Sequence, residues 1–477
     1  MPVTRRDFLK NTSLATAGTV LGPGLFGNPF VRSAMADTIG DRYLVVLFLD
    51  GGNDGLNTIV PADDSAGLRT AYHIARETGG GGLRIAEGNL ATPSVVTMDD
   101  PNTGTALGFH PAFASNKPGL GGIAEMYDAG NVAVVQGAGY PDYSLSHEAS
   151  RIIWQTANPT GQAAIAGSGW LGRHLGLEYN PLDIYGVTID DSIAGELRTG
   201  ATSVLAINRL RRFGFPLDDY DEGDHSIYTG TYDDLYASAG LNAQPLLGAV
   251  GNAGQATKLS TDAYPPLEAL YNTDRELFAD AYDALGTSLS RDLREVAKII
   301  YGNSSGATNI DARFFQVRNG GYDTHADQGA ESGRHFQLLE EVSDAVDLFF
   351  KDIADMGVGS KVTLVVWSEF SRRIPQNSNG TDHGSQGPMF VIGEPVTGGV
   401  YGNHPEIGSL DNNENTRYSQ DPGDGFRSTD FRDVFGTVLQ HWVNMDQATI
   451  LSSVLPLDTE TPANDYWTVQ NFDMGFL

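Results

Sequence analysis

The sequence predicts an α/β protein, a doubly wound α/β/α sandwich around a mostly parallel central sheet, with loop-rich insertions. The first observation is a series of short, continuous apolar runs, the pattern of strands that are buried on both faces. The second is the amphipathic pattern of 3.6-residue spacing between several of those runs. Alternation of strand and helix along a chain of 477 residues is typical of doubly wound folds.

Five apolar runs are the predicted strands of this sheet. They are residues 43–49, 132–135, 313–317, 362–367 and 389–392. The first run, YLVVLFL, is almost entirely apolar and is followed at once by Asp50. Such a strand favours the centre of a parallel sheet, because both of its faces must be covered.

Three amphipathic patterns are the predicted helices that cover the sheet. The clearest places eight apolar residues on one face: Leu338, Leu339, Val342, Ala345, Val346, Phe349, Phe350 and Ile353. It ends at Gly357, shortly before the strand predicted at 362–367. The other two patterns extend from Leu267 to about Ile300 and from Phe431 to Trp442.

Residues 37–477 are predicted to form a single domain, because no convincing linker divides them. Two long stretches, near 62–108 and near 176–262, interrupt the alternation with segments rich in glycine and polar residues. Insertions of this kind usually cap the crevice at the carboxyl ends of the strands. We therefore expect them to surround any functional site.

The N-terminal segment has the features of a twin-arginine signal peptide over residues 1–36. Arg5 and Arg6 precede a weakly apolar stretch at 14–30, which ends near the small-x-small sequence at 34–36. Glycines and prolines interrupt the stretch, so its apolar run is too short for a membrane span. This pattern predicts export to the periplasm or beyond, with no stable membrane insertion after signal cleavage.

Composition excludes several classes of function. The formal net charge is −30 at pH 7, and a surface this acidic repels nucleic acid and anionic membranes. There is no cysteine, so disulfides, thiolate metal sites and cysteine nucleophiles are all excluded. The expected partner is instead a small-molecule or polysaccharide substrate, with no nucleic acid.

Polar clusters follow the predicted strands at the points where each strand ends. The side chains in them that could bind a metal ion are Asp50, Asn53, His147, Asp323, His325, Asp382 and His383. Because the carboxyl ends of parallel strands converge on one crevice, we expect these separate segments to meet there. Asp and His without Cys can bind zinc or the harder ions manganese, magnesium and calcium. The sequence therefore predicts a site for divalent metal ions at this edge.

Each cluster alone also has a structural interpretation. The sequence DGGNDG at 50–55 is a good turn, because Asp, Asn and Gly tolerate left-handed backbone. Ser146 is a good helix N-cap, and a histidine such as His325 at a strand end is often a hydrogen-bonded structural residue. Four such clusters, each after an apolar run, favour the metal site over these separate interpretations.

Taken together, the motifs resemble a known bacterial family that carries twin-arginine leaders, the family of domain of unknown function 1501. They are LDGGNDGLN at 49–57, Ser146-His147, GWLGR at 169–173, GGYDTH at 320–325, SEFSR at 368–372 and TDHG at 381–384. The resemblance covers nearly the whole chain after residue 36. That family looks like a distant branch of the alkaline phosphatase and sulfatase superfamily, which implies a doubly wound sheet and a pair of divalent metal ions.

The resemblance also implies roles for individual residues. Asp50, Asp323 with His325, and Asp382 with His383 would be metal ligands, and Ser146 would be the hydroxyl nucleophile. Two cations about 4 Å apart would activate that hydroxyl or a water and hold the ester oxygens in line for displacement. Arg173 or Arg372 would neutralise the remaining oxyanion charge, although each could equally be a surface salt-bridge partner.

The chain departs from the superfamily pattern in two places. The superfamily's Asp-x-x-x-His is here Asp323-x-His325, and Glu369 stands at the strand end where the pattern has Asp-His. Two hypotheses of function follow. The first is an exported, metal-dependent hydrolase of phosphate or sulfate esters of the two-metal type. The second is a non-catalytic metal- or glycan-binding protein of the cell envelope that has kept the fold.

Overall fold

The computed structural model describes ten stretches and one isolated residue of the chain. They are residues 39–77, 82–178, 184–199, 203–213, 230–234, 245–308, 311–405, 407, 424–425, 427–457 and 472–477. The predicted signal segment, residues 1–36, lies outside the described residues.

Eleven strands are present in the described residues, and nine of them form one sheet. In chain order they are β1 (Tyr43–Asp50), β2 (Ile59–Pro61), β3 (Leu107–Phe109), β4 (Val132–Gly139), β5 (Ile184–Thr188), β6 (Ser203–Ala206), β7 (Phe314–Gly320), β8 (Val362–Trp367), β9 (Gly387–Ile392), β10 (Gly399–Tyr401) and β11 (Thr429–Asp430). The order across the large sheet is β10-β4-β9-β8-β1-β7-β5-β6, and β11 also pairs with β4.

The large sheet is mostly parallel, as predicted. Strand β1 lies near its middle between β7 and β8 and is parallel to both. All of β1 except Asp50 is buried, which explains why its sequence is an unbroken apolar run. Strand β9 is the exception to the parallel arrangement, because it is antiparallel to both of its neighbours, β4 and β8.

The helices named here are numbered α1 to α10. They are α1 (Gly55–Thr58), α2 (Leu68–Arg76), α3 (Gly122–Asp128), α4 (His147–Thr156), α5 (Trp170–Glu178), α6 (Pro245–Asp274), α7 (Glu276–Leu285), α8 (Ser288–Ser305), α9 (Arg334–Asp355) and α10 (Phe431–Thr437). Helix α10 continues as a π-helical turn over Val438–Trp442. None of the helices in the described residues combines the length and the apolar character that a membrane span requires.

Helices pack on both faces of the sheet. Alternate residues of each strand point to opposite faces, and in the central strands both sets are apolar and must be covered. On one face Val45 and Leu47 pack with apolar residues of α8 and α9. On the other face Val46 and Phe48 pack with residues of α4, α5 and α10. The architecture is therefore a mixed α/β fold with a large, mostly parallel sheet, and the predicted α9 pattern is confirmed.

Two predictions about individual segments need correction. The helix expected from Leu267 to about Ile300 is instead parts of three helices, α6, α7 and α8, with breaks at Arg275 and at Gly286, whose φ is +66°. The second loop-rich stretch, near 176–262, contributes β5 and β6 to the sheet itself. Both strands are short, and Gly186 interrupts β5, so neither has a long apolar run that would predict it.

The first stretch, near 62–108, contains α2 and the strand β3, which pairs with β2. A buried ion pair joins Arg76 of α2 to Asp54 in the turn after β1, and both side chains are 0% exposed. Arg76 donates hydrogen bonds of 2.5 and 2.8 Å to the two carboxylate oxygens of Asp54. Burial raises the pKa of Asp54, but the adjacent Arg76 guanidinium outweighs it, and the pKa is lowered.

Replacing Arg76 with methionine is expected to lower the free energy of unfolding by about 3–5 kcal/mol, because the buried Asp54 would lose the cation that compensates its charge. Urea denaturation followed by circular dichroism measures the loss. The control is Arg84→Met, which breaks an exposed pair with Glu77 and should change stability by no more than about 0.5 kcal/mol. Equal effects of the two substitutions would contradict the importance of the buried pair.

Candidate metal centre

The carboxyl ends of β1, β7 and β8 are adjacent in the sheet, and polar side chains from four segments gather above them. Asp323 and His325 follow β7, and His383 lies in the loop between β8 and β9. His147 is the first residue of α4, the helix that Ser146 caps. His147, Asp323 and His383 each offer a ligand atom, and these atoms all lie within 4.8 Å of one another. The structure thus brings together residues that are up to 236 positions apart in the chain.

The Nδ1 atom of each histidine in this region, His147, His325 and His383, makes a hydrogen bond to an oxygen acceptor. The partner of His147 is Glu369 Oε1 at 2.8 Å, that of His383 is the Leu145 carbonyl at 2.7 Å, and that of His325 is Asp382 Oδ1 at 3.1 Å. Because carboxylate and carbonyl oxygens accept, each Nδ1 carries the proton. In the neutral rings the Nε2 atoms then keep their lone pairs.

The three Nε2 atoms converge on the carboxylate of Asp323. They lie 3.4 Å from its Oδ2 for His147, 3.2 Å from its Oδ1 for His325 and 3.3 Å from its Oδ1 for His383. The Nε2 atoms of His325 and His383 are 2.9 Å apart. Three histidines thus surround one carboxylate, and the ligand atoms of His147, Asp323 and His383 form the compact group among them.

These separations fit a divalent cation. Ligands roughly 2.0–2.2 Å from an ion lie about 3 Å apart at right angles and about 3.4 Å apart at the tetrahedral angle. The Nε2 atom of His147 is buried and has no hydrogen-bond partner among the described residues. A metal ion would satisfy it, and the Nδ1 partners are the outer acceptors that usually orient metal-bound histidines.

Asp323 is held in place by the buried guanidinium of Arg372, which donates a 2.8 Å hydrogen bond to its Oδ1. Burial raises the pKa of Asp323, but the hydrogen bond and charge of Arg372, together with His383 and His147, lower it to about 2. Asp323 is therefore ionised at neutral pH. Its Oδ2 atom, which faces His147, is the oxygen left for a ligand.

Glu369 orients His147, a role that the sequence did not reveal. Its buried carboxylate accepts hydrogen bonds from Gly51 N at 2.9 Å and Gly52 N at 3.1 Å, as well as from His147. The hydrogen bond from His147 is the main cause of the raised pKa of that histidine, and burial opposes it. Glu369 follows the end of β8 by two residues, and β8 is adjacent to β1 in the sheet. This position at the carboxyl edge was the signal from which a role at the site could have been predicted.

Two predicted site residues have structural roles instead. Asn53 is buried, where its Nδ2 donates to Thr58 at 3.0 Å and its Oδ1 accepts from His335 at 3.0 Å. Arg173 donates to three backbone carbonyls, those of Thr156, Ser168 and Val454, at 2.7–2.8 Å. Neither reaches the cluster in this structure, because local and backbone groups already use their hydrogen-bonding atoms.

Three other predicted residues lie beside the cluster. The Asp382 carboxylate accepts a hydrogen bond from Nδ1 of His325, on the side of the ring away from Asp323, and so orients a proposed ligand. Asp50 faces Arg318 at 3.2 Å and Arg151 at 3.7 Å rather than the histidines. Ser146 is exposed, and its Oγ accepts a long hydrogen bond of 3.5 Å from the Ala149 amide.

Comparison with curated proteins finds no match to this chain. A family model does match one segment, residues 305–421, and that segment includes Asp323, His325, Asp382 and His383. The matched segment thus carries three of the four residues that converge at the cluster, all except His147. That segment is similar to the family described as "Protein of unknown function (DUF1501)".

Proposed function

We propose that this chain is an exported hydrolase of phosphate or sulfate esters that uses a divalent metal ion held by His147, Asp323 and His383, with His325 as a fourth ligand. The observation that carries the proposal is the convergence of three Nε2 atoms on Asp323 while each Nδ1 is held by an acceptor. Such pre-oriented imidazoles are the arrangement of a metal site with its outer shell in place.

The ligand set favours zinc among the ions that the sequence allows. Imidazole nitrogens suit zinc and related transition metals, whereas magnesium and calcium take mainly oxygen ligands. The described residues form one such group, so the proposal is for one ion, where the superfamily resemblance implied a pair. Asp50 and Asp382 are assigned supporting positions next to that ion.

A bound zinc ion would polarise the ester and lower the pKa of a water or hydroxyl at the site. The protein's own residues prepare this chemistry. Glu369 fixes the ring of His147, and Arg372 keeps Asp323 ionised and in position. Ser146, exposed and adjacent to His147, is proposed as the nucleophile, with a water molecule as the alternative.

The wider resemblance supports the same reading. A mostly parallel sheet with its polar groups at the carboxyl edge agrees with a distant relationship to alkaline phosphatases and sulfatases. The predicted twin-arginine signal supports a periplasmic or extracellular location. Because that route exports proteins already folded, it also agrees with the binding of a metal ion before export. Since no cysteine is present, a formylglycine made from cysteine is excluded as the nucleophile.

A second candidate is a non-catalytic metal- or glycan-binding protein of the cell envelope. It is favoured by the position of Ser146, whose hydroxyl caps α4 instead of donating to a base among the described residues. In this case metal would stabilise the fold without turnover, because any ligand of the native state raises its melting temperature.

Replacing His383 with alanine is expected to weaken zinc binding by more than about 100-fold, beyond the 10–100-fold effect typical of outer-shell residues. Isothermal titration calorimetry on the metal-free protein measures the affinity. The control is His441→Ala, at a histidine outside the cluster whose Nε2 lies 3.9 Å from Asp473. Unchanged zinc affinity in His383→Ala would sink the proposed centre.

The zinc-loaded protein is expected to hydrolyse at least one of an aryl phosphate, an aryl phosphodiester and an aryl sulfate. Ser146→Ala should lower kcat by about 100-fold or more, because it removes the nucleophile. Ser304→Ala, at an exposed serine in the last turn of α8 and outside the cluster, is the matched control. Full activity in Ser146→Ala would mean that water, and not Ser146, attacks the ester. If protein shown to hold zinc hydrolyses none of the three esters, the hydrolase proposal is wrong and the second candidate, a metal-binding protein, is favoured.

A further inference from the structure

Two arginines beside the metal centre, Arg318 and Arg151, have no role in the function proposed above, and both contact Asp50. Asp50 ends β1, Arg318 lies on β7, and Arg151 lies on α4. Arg318 Nη1 is 3.2 Å from Asp50 Oδ2, and Arg151 Nη1 is 3.7 Å from Asp50 Oδ1. The side chains of Arg318 and Arg151 are 49% and 35% exposed, so both are accessible to solvent.

The position of these residues connects them to the cluster. Arg151 follows His147 by four positions on α4, so the two side chains share one face of the helix. Arg318 is paired with Phe48, and Asp50 with Gly320, in the β1–β7 register. The charged group therefore stands at the same carboxyl edge as Asp323, three residues beyond the end of β7.

The two guanidinium groups have free hydrogen-bonding capacity. An arginine side chain carries five N–H donors. Arg372 and Arg173 use theirs on carbonyl and carboxylate oxygens, whereas Arg151 and Arg318 have, among the described residues, only the ion pairs with Asp50. Arginines with unused donors beside a metal site are suited to an oxyanion, which accepts several hydrogen bonds at once.

The local charge also favours an anion. In a chain whose net charge is −30, two arginines here meet one aspartate. Burial and the nearby Glu369 raise the pKa of Asp50, and Glu369 itself is engaged with Gly51, Gly52 and His147. Each carboxylate oxygen of Asp50 faces one arginine, so the carboxylate stands where two oxygens of a tetrahedral anion would bridge the same pair. The attraction acts at contact range, because the acidic surface as a whole repels anions.

We propose that Arg151 and Arg318 form the subsite for the phosphate or sulfate group of the substrate, and that Asp50 occupies it as an internal counter-anion in the free protein. The proposal rests on the ester hydrolase function for its substrate, but it makes a separate claim about binding. It also assigns Asp50 a role different from the metal ligand that its place in the sequence implied.

The first test is the binding of inorganic phosphate and inorganic sulfate, by calorimetry, to the full protein with and without zinc. Arg318→Gln should weaken the binding of both anions by about 10-fold or more, the range for a charge-assisted hydrogen bond. Arg334→Gln is the control: it makes the same charge change at an exposed residue near this edge, whose guanidinium reaches the Gly320 carbonyl at 3.4 Å. It should stay within twofold of the unmodified protein.

The second test has the opposite sign. Asp50→Asn removes the competing carboxylate, so it should tighten phosphate binding at least threefold while zinc affinity stays within twofold. A fall in zinc affinity in Asp50→Asn would overturn the proposal, because Asp50 would then be a metal ligand. The melting temperature of each variant confirms that it is folded, and Arg151→Gln replaces Arg318→Gln if the latter is not.

The outcomes separate this subsite from the hydrolase proposal. Anion binding that falls in Arg318→Gln and rises in Asp50→Asn supports the subsite even if no ester is hydrolysed. Hydrolysis by a protein whose anion binding is unchanged in both variants, or absent from the unmodified protein, overturns the subsite and leaves the metal centre standing.

Discussion

The turn after β1 depends on two buried charges of opposite sign, Glu369 and Arg372, which hold it from both sides. Glu369 accepts the amide hydrogens of Gly51 and Gly52, and Arg372 donates to their carbonyl oxygens. Buried charges are costly unless hydrogen bonds compensate them, and here the backbone of one turn supplies much of the compensation. The turn in return gains partners for polar groups that the end of a buried strand would leave unsatisfied.

The same two side chains extend from the turn into the metal centre. Glu369 also accepts from His147, and Arg372 also donates to Asp323. The geometry of two proposed ligands is therefore set by groups whose other hydrogen bonds lie in the scaffold. The turn must be glycine at its first position, because a Cβ on Gly51, whose φ is +121°, would lie 2.5 Å from Asp323 N. A rigid support of this kind is what a metal site needs for precise ligand placement.

Much of the fold and part of the site could be predicted from sequence. The runs that became β1, β4, β7, β8 and β9 were visible because strands covered on both faces must be apolar throughout. The convergence of His147, Asp323 and His383 followed from their positions at the ends of such strands or the start of a helix. Strands β5 and β6 were missed because short segments near the edge of a sheet carry too few apolar residues to form a pattern. The buried hydrogen bonds of Asn53 could not be predicted, because a polar residue in a turn has the same sequence pattern whether it faces a ligand or a buried neighbour.

The sequence by itself determined the class of the protein, the central strands and the chemical types of the proposed ligands, since these follow from local periodicity and from residue identity. Only the tertiary structure decided which groups act together. The partnership of His147 with Glu369 joins residues 222 positions apart, and nothing in either local pattern encodes it. Four arginines show the same limit of prediction from sequence. Arg173 and Arg372 donate their hydrogen bonds mainly to backbone carbonyls, while Arg151 and Arg318 keep unused donors among the described residues. A guanidinium has the same chemistry at every position, and packing alone determines which acceptors remain within its reach.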